Sequence, residues 1–204
     1  MKIVRLIVGQ RFWLVVLLII WISSCKQGSY KYPTLKILTD LGDIEIELYP
    51  GKAPKTAAAF LNYVDSGLFK NSSFYRVLND ENQSSAGFKS QLIQGGIWES
   101  NNKKAVTLPG IEHENTKTTD ILHKDGVISL ARSAPGTANT EFFICLGDQA
   151  AFDYGGSANS DGQGFAAFGK VIKGMNVVRL IHTQPENNES IRPPVSIKNI
   201  IRLK

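Results

Sequence analysis

An arginine within an apolar segment raises the first chemical question in this sequence. Arg76 lies in the run Phe74-Tyr-Arg-Val77, whose other residues favour a buried strand. A guanidinium stays charged at any working pH and carries five N–H donors, so it requires acceptors or solvent around it. Taken alone, the segment favours an ion pair at the rim of a sheet. Whether Arg76 does chemistry depends on the rest of the chain.

The cysteines and histidines do not form a metal-binding pattern. Cys25 and Cys145 are too few for a disulfide framework or a cysteine-type zinc site. The three histidines, His113, His123 and His182, have no ligand spacing. We therefore expect no metal.

The first 24 residues have the architecture of a secretory signal peptide. Three basic residues and no acidic residue accompany the apolar run 12–22, whose 11 residues are short for a permanent span, since a transmembrane helix needs about 20. Ile22-Ser-Ser-Cys25 follows and resembles the bacterial lipoprotein cleavage box, in which the cysteine is acylated and the chain is cut just before it. An uncleaved anchor is the alternative. Both interpretations place the folded part outside the cytoplasm.

The lipoprotein resemblance implies an anchor at the new amino terminus. It implies diacyl and amide-linked acyl chains on Cys25, and stable anchoring requires more than one chain. Lys26 after the cysteine resembles the outer-membrane sorting pattern of Gram-negative bacteria, which would leave the domain facing the periplasm. We therefore divide the chain into a signal peptide over 1–24, a lipidated cysteine and tether over 25–34, and a folded domain over 35–204.

Much of the positive charge belongs to the leader. Met1–Ser24 contains Lys2, Arg5 and Arg11 and no acidic residue, so its removal takes three of the 23 basic residues and lowers the net charge from +5 to +2. An excess this small does not indicate nucleic-acid binding.

Composition and periodicity favour a strand-rich domain. The chain is 43% hydrophobic, and its 18 glycines, 8 prolines and 10 phenylalanines accompany only 2 methionines. Leu35–Leu48 alternates apolar and polar residues on both sides of Leu41-Gly42, which predicts a hairpin. Ala53-Pro54 opens a predicted helix that ends at Gly67, and Met175–His182 predicts a second helix.

Further strands are predicted from short apolar runs separated by glycine-rich and asparagine-rich loops. These runs are 74–78, 91–94, 126–131, 141–146, 165–171 and 195–201. Many short strands with two helices predict a closed antiparallel barrel rather than a doubly wound sheet. The polar stretches 79–90 and 150–164 are predicted loops, and loops of this length are often functional.

Several of these segments together resemble the cyclophilin family. In the family's order they are Phe74–Val77, Leu92–Gly96, Gly126–Arg132, Thr140–Ile144 and Phe168–Met175, and the helix Ala53–Leu61 matches as well. The resemblance covers 35–204, the whole predicted domain. It implies an all-β-dominated fold, a closed eight-stranded antiparallel β-barrel capped by two α-helices. It also implies cis–trans isomerisation of peptide bonds that precede proline, with no cofactor.

The resemblance assigns roles to matching residues. Arg76 would donate a hydrogen bond to the prolyl nitrogen and the neighbouring carbonyl, and Gln94 would hold Arg76 in orientation. The backbone around Ala131 would pair with an extended substrate chain. The apolar slot for the proline ring would be lined by Leu92, Phe143 and Phe152, whereas Phe142 is assigned to the core.

Four positions depart from the family's usual residues. Gln91 stands where an aromatic residue of the proline pocket is common, and Phe165 takes the place of a His. Ala151 takes the place of a Trp that helps to bind the family's cyclic-peptide drug. Glu141 stands where a Gln contacts the substrate backbone, and a carboxylate there is expected to pair with Arg76 and compete for its donors. Gln91, Glu141 and Phe165 remain candidate substrate contacts.

The sequence therefore predicts an exported, lipid-anchored isomerase that assists protein folding in the bacterial envelope. We expect a monomer that binds extended, proline-containing polypeptides. Two alternatives stay open: a barrel that binds such segments as a chaperone or scaffold without useful catalysis, and a structural envelope lipoprotein that contacts cell-wall or outer-membrane components. Isomerisation of a proline peptide, measured with and without Arg76, distinguishes them.

Overall fold

The computed structural model describes residues 30–84 and 89–203. The predicted signal peptide, Cys25 and the tether residues 26–29 lie outside these residues. Among the described residues, no helix is long and apolar enough to cross a membrane.

The predicted amino-terminal hairpin is confirmed. Strand β1 spans Thr34–Thr39 and pairs antiparallel with β2, Gly42–Leu48, so that Ile37 lies opposite Ile44. Gly42 has a φ of +129° and lies against Val177, a conformation and a clearance that suit glycine. Because side chains alternate between the two faces of a strand, Ile44, Ile46 and Leu48 all face the barrel interior.

The strands close into a barrel, as the sequence predicts. The remaining strands are β3 (Ser72–Leu78), β4 (Leu92–Gly96), β5 (Val127–Leu130), β6 (Phe142–Cys145), β7 (Ala166–Lys173), β8 (Glu186–Asn187) and β9 (Ser190–Leu203). The antiparallel order is β1-β2-β7-β5-β6-β4-β3-β9-β8, and β1 also pairs with β9, which closes eight strands into a ring. The two-residue β8 is attached outside that ring.

Both predicted helices are present, and two short helices accompany them. The predicted ones are α1 (Pro54–Asp65) and α4 (Met175–His182), with α2 (Trp98–Ala105) and α3 (Thr116–Thr119) between them. Helix α2 was not predicted because its sequence carries no apolar stripe, and Ala105 is its buried residue. Helix α3 spans only four residues and begins at an Asn115 cap.

A cluster of phenylalanines lies within the core. Five fully buried phenylalanines form a connected cluster with ring centroids between 5.0 and 5.7 Å apart: Phe60, Phe69, Phe74, Phe142 and Phe168. Burial of each ring stabilises the fold by about 2–3 kcal/mol. The assignment of Phe142 to the core is therefore confirmed. Cys145 is a buried free thiol.

Candidate active site

A groove of about 890 Å³ brings most of the predicted site residues together. Side chains of β3, β4 and β6 form its floor, and α2, the connection between β5 and β6 and the connection between β6 and β7 form its rims. The predicted residues that line it are Arg76, Leu92, Gln94, Ala131, Glu141, Phe143, Phe152 and Phe165. Their contact with substrate stays a prediction.

Arg76 lies at a point where the pairing of β3 is irregular. On β3, the register with both neighbouring strands shifts between Phe74 and Arg76. Arg76 pairs with Gln94 of β4 and with Ser190 of β9. Such irregularities re-aim side chains, and here the Arg76 side chain is 38% exposed in the groove.

The hydrogen bonds of Arg76 leave part of its guanidinium open. Its Nη1 donates to Gln94 Oε1 at 2.9 Å, while its Nε and Nη2 donate to Glu189 Oε2 at 2.9 and 2.8 Å. A guanidinium has five N–H groups, so one N–H on each terminal nitrogen keeps no acceptor within the described part of the chain. These two donors are available to a ligand in the groove.

A hydrogen-bonded chain runs from Arg76 to a buried carboxyl group. Gln94 Nε2 donates to the Tyr75 hydroxyl at 2.8 Å, and that hydroxyl donates to Glu141 Oε2 at 2.7 Å. Glu141 Oε1 accepts from the main-chain N–H groups of Ile97 and Trp98 at 3.0 and 3.1 Å. The chain fixes which way the Gln94 amide faces, because its oxygen is needed by Arg76 and its nitrogen by Tyr75.

The expected pair between Glu141 and Arg76 is wrong. The carboxyl group of Glu141 is separated from the guanidinium by both Tyr75 and Gln94, and it lies at the amino-terminal end of α2, where free main-chain N–H groups attract it. Burial raises the pKa of Glu141, although its hydrogen bonds oppose the shift. Burial and the nearby Glu141 also raise the pKa of Tyr75.

The apolar part of the groove is an aromatic recess. The ring centroids of Phe143, Phe152 and Phe165 lie 5.2–5.3 Å from one another in edge-to-face contacts. Leu92 packs in the same cluster, and Phe143 is only 2% exposed. Aromatic walls of this kind suit a flat aliphatic ring, because they exclude water without requiring a polar partner.

A buried histidine supports this recess, and the sequence analysis did not predict it. His123 stacks on Phe143 with centroids 6.0 Å apart and an interplanar angle of 15°. Its Nδ1 lies 2.8 Å from Asp153 and its Nε2 lies 3.0 Å from the Ser129 hydroxyl, so both ring nitrogens have partners. The histidine therefore fixes the back of the recess. Its position just before the predicted strand at 126–131 was the available signal.

Of the predicted contacts, Gln91 lies outside the groove lining, and the main chain at Ala131 is already partly bonded. Gln91 is not among the groove-lining residues, because alternation along the strand sends Leu92 and Gln94 to the groove and residues 91 and 93 away from it. Ala151 also lies off the groove lining, and its carbonyl accepts from Ala158. The N–H of Ala131 donates to the Glu141 carbonyl at 2.8 Å, so that amide is already paired.

A second arginine stabilises the groove wall. Arg132 donates from Nε and Nη2 to the Gly164 carbonyl at 2.8 and 2.6 Å, and from Nη1 and Nη2 to Asp161 at 2.7 and 2.8 Å. Its guanidinium carbon also lies 5.5 Å from the centre of the Phe165 ring. Arg132 thus ties the loop 150–164 to the end of β5. The Arg132 guanidinium lowers the pKa of Asp161 to about 2.

Glu189, the carboxylate partner of Arg76, was not identified from the sequence. It is separated from Arg76 by 113 positions, and no periodicity or motif links the two. Its only signal is its place in the polar turn 186–190 before the predicted strand at 195–201.

Among the described residues, no group of three or more metal-ligating side chains is found.

Comparisons with known proteins agree on one family. The family model for "Cyclophilin type peptidyl-prolyl cis-trans isomerase/CLD" matches residues 34–202. A peptidyl-prolyl cis-trans isomerase of Acinetobacter baylyi is 35% identical over 152 residues, which cover 74% of this chain and 72% of that protein. Peptidyl-prolyl cis-trans isomerase B of Escherichia coli is 31% identical over 164 residues, which cover 80% of this chain and 92% of the relative.

Solved structures share the fold. A cyclophilin-type peptidyl-prolyl cis-trans isomerase of Cryptosporidium parvum superposes with a TM-score of 0.65 at 21% identity, covering 85% of this chain and 98% of that one. A second crystal structure of that protein, determined in the presence of the dipeptide Ala-Pro, gives a TM-score of 0.64 and covers 84% of this chain and 99% of that one.

Proposed function

This chain belongs to the cyclophilin family of peptidyl-prolyl cis-trans isomerases and is an enzyme of that class, and we propose that Arg76 is its catalytic donor. The observation that carries this proposal is that two N–H groups of Arg76 keep no acceptor among the described residues, on a side chain that lines the same groove as Leu92 and Phe143.

The reaction requires little more than a fixed donor and a slot for a ring. Amide rotation has a barrier of about 18–20 kcal/mol because the nitrogen lone pair is conjugated with the carbonyl. In the twisted state the prolyl nitrogen becomes pyramidal and accepts a hydrogen bond that the planar amide cannot accept. A donor that bonds only to the twisted state therefore lowers the barrier.

The substrate proposed for this site is an extended, accessible X-Pro segment. The aromatic recess would hold the proline ring, and Gln94 would keep the Arg76 guanidinium in one plane. The groove is long compared with one ring, so flanking residues of the polypeptide would lie between α2 and the loop 150–164. The Cryptosporidium structure determined with Ala-Pro is consistent with this substrate class.

The central experiment compares Arg76→Ala with the parent on a short X-Pro peptide, by exchange NMR or a protease-coupled assay. We expect kcat/KM to fall about 100-fold, the cost of removing one preorganised donor to a transition state. Arg202→Ala is the matched control, because Arg202 is an exposed arginine paired with Asp65 outside the groove. Full turnover by Arg76→Ala would overturn the proposed role.

A second function is supported by the engagement of Arg76 itself. Three of its five N–H groups are already bonded to Gln94 and Glu189, which suits a barrel that binds proline segments with little catalysis. This binding protein would show saturable peptide affinity without acceleration. Arg76→Ala would leave that affinity largely intact.

The proposed cellular role rests on the sequence of the first 25 residues. We propose that the chain is exported and anchored by lipid on Cys25 in the outer membrane, with the domain facing the periplasm, where it would assist folding of envelope proteins. Mass spectrometry of the mature amino terminus, from the full chain expressed in a Gram-negative host, should find acylated Cys25. An unmodified, uncleaved Met1 would contradict the anchor.

A further inference from the structure

We propose that Glu189 is a positioning residue that holds the Arg76 guanidinium from the side away from the groove. The inference rests on the proposed function, because it concerns how the donor assigned there is oriented. It goes further in giving a role to a residue that no motif of the family identified in this chain.

The contacts place Glu189 behind Arg76 rather than in front of it. Arg76 lines the groove and Glu189 does not. One carboxylate oxygen of Glu189 accepts from both Nε and Nη2 of Arg76, which fixes the position of that edge of the guanidinium. Gln94 accepts on the other side, from Nη1. The two remaining N–H groups then point away from both acceptors.

The main chain holds Glu189 at this place. Val77, next to Arg76 on β3, donates its N–H to the Glu189 carbonyl at 2.8 Å. The Glu189 N–H donates to the carboxylate of Glu186 at 2.7 Å. The turn between β8 and β9 is therefore bonded directly to the strand that carries Arg76.

The conformation of this turn indicates that the side chain at position 189 has a role. Asn188 and Glu189 have φ values of +50° and +69°. A two-residue hairpin turn with positive φ at both positions favours Asn-Gly, since glycine adopts this conformation without strain. Asparagine is present at the first position, but a glutamate occupies the second. Residues in strained conformations cluster at functional sites, and here the strained side chain bonds to Arg76.

The same strain supplies a clean test. Glu189→Gly removes the carboxylate and relieves the backbone, so we expect a melting temperature no lower than that of the parent. We expect kcat on a short X-Pro peptide to fall about tenfold, because a donor that is free to rotate spends less time in the productive geometry. The dissociation constant for the peptide, measured by NMR titration, should change less than about twofold, since the recess is intact.

Asn188→Gly is the matched control. It makes the same kind of substitution one residue earlier, at a position that also has positive φ and whose side chain is exposed. We expect it to keep the parent's turnover. An equal loss of turnover in Asn188→Gly and Glu189→Gly would overturn the proposal, because the turn rather than the carboxylate would then be responsible.

Two further measurements separate positioning from other effects. The Nε–H resonance of Arg76, assigned by its loss in Arg76→Ala, should shift and exchange faster with water in Glu189→Gly. Glu189→Gln, which retains an acceptor oxygen, should recover part of the lost turnover. Unchanged or increased kcat in Glu189→Gly would overturn the proposal, and an increase would show that the carboxylate competes for the donors.

A double substitution distinguishes this inference from the proposed function. In an Arg76→Ala background, Glu189→Gly should have no additional effect on kcat, because the residue acts through Arg76. A further loss in that background would overturn the positioning role. If Arg76→Ala alone keeps full turnover, the proposed function fails. If Arg76→Ala is impaired and Glu189→Gly is fully active, only the Glu189 inference fails.

Discussion

Arg76 and Arg132 both line the groove, but their side chains are 38% and 1% exposed. Arg132 donates four hydrogen bonds, divided between a main-chain carbonyl and the carboxylate of Asp161. Arg76 donates three, and two of its N–H groups keep no acceptor in the part of the chain that the structure describes. One arginine fastens a loop, while the other is held in place with spare donors.

The difference shows that residue type does not decide which cation can do chemistry. A buried guanidinium must have its donors satisfied, because an unpaired buried charge is costly. Arg132 meets most of that requirement within the protein, since four of its five N–H groups are bonded. Arg76 meets it only in part, and solvent or a ligand must supply the remaining acceptors. Burial of the side chain and the number of bonded donors therefore both distinguish the two arginines.

The largest expected effect on stability is that of Arg132→Ala. The substitution removes the contacts that tie the loop 150–164 to β5 and leaves the Gly164 carbonyl without this donor. We expect the free energy of unfolding to fall by about 3 kcal/mol, as measured by urea denaturation. Arg76→Ala should change it by less than about 1 kcal/mol. Equal losses of stability in the two variants would mean that the contacts of Arg132 stabilise the fold no more than those of Arg76.

A charge-conserving substitution of Arg76 tests whether the shape of its donor group matters in addition to its charge. Arg76→Lys keeps the positive charge but loses the planar fork that bonds Gln94 and Glu189 while donating into the groove. We expect kcat/KM on an X-Pro peptide to fall roughly tenfold, equivalent to about 1.4 kcal/mol. Activity close to that of the parent would mean that charge alone is sufficient.

Glu141→Gln tests the other end of the hydrogen-bonded chain and its pH dependence. The variant should be less stable by about 1 kcal/mol, because an amide cannot accept from the Tyr75 hydroxyl and from both main-chain N–H groups as the carboxyl does. Burial raises the pKa of Glu141 above its usual 4.5, so the folded state binds this proton more tightly. The stabilisation that comes from this tighter proton binding is present at low pH and is lost as pH rises through the pKa of Glu141 in the folded state.

The parent's advantage over Glu141→Gln should accordingly shrink as pH rises from about 4.5, as measured by urea midpoints. Turnover should not rise, because Glu141 takes no donor from Arg76. A gain in turnover would mean that the Glu141 carboxylate does compete for the donors of Arg76, as the sequence had suggested.

The smallest expected effect is on acid stability through Asp161. Arg132 lowers the pKa of this carboxyl group from 3.8 to about 2, so its stabilising contribution is present above 3.8 and is lost as pH falls toward 2. Asp161→Asn should therefore flatten the decline of stability over that range, as followed by acid unfolding. A decline as steep as that of the parent would mean that Arg132 gains little from this partner.

Local patterns made most of the fold predictable. The alternation in Leu35–Leu48 and the apolar stripe of Met175–His182 each report burial within a few residues, and both elements form where the sequence places them. Helix α2 lacked such a stripe because most of its residues face solvent. Its existence depends on neighbours that no local window contains.

The site was predictable to the extent that motifs carried it. Arg76, Gln94 and Phe143 lie in segments that resemble a known family, and the groove unites them. The partners of those residues were not predictable. Glu189 reaches Arg76 across 113 positions, and Glu141 bonds main-chain N–H groups that have no signature in the sequence. Pairings of this kind arise from tertiary structure alone.

The closure of β1 onto β9 has a consequence for the proposed binding of extended polypeptides. An open sheet presents unpaired N–H and C=O groups to any extended chain, and this invites intermolecular strand addition and co-aggregation. In the closed ring those groups are paired, and the short β8 is the edge left over in the described part of the chain. The substrate proposed above, an extended X-Pro segment, would therefore bind and leave without being added to the sheet as a further strand.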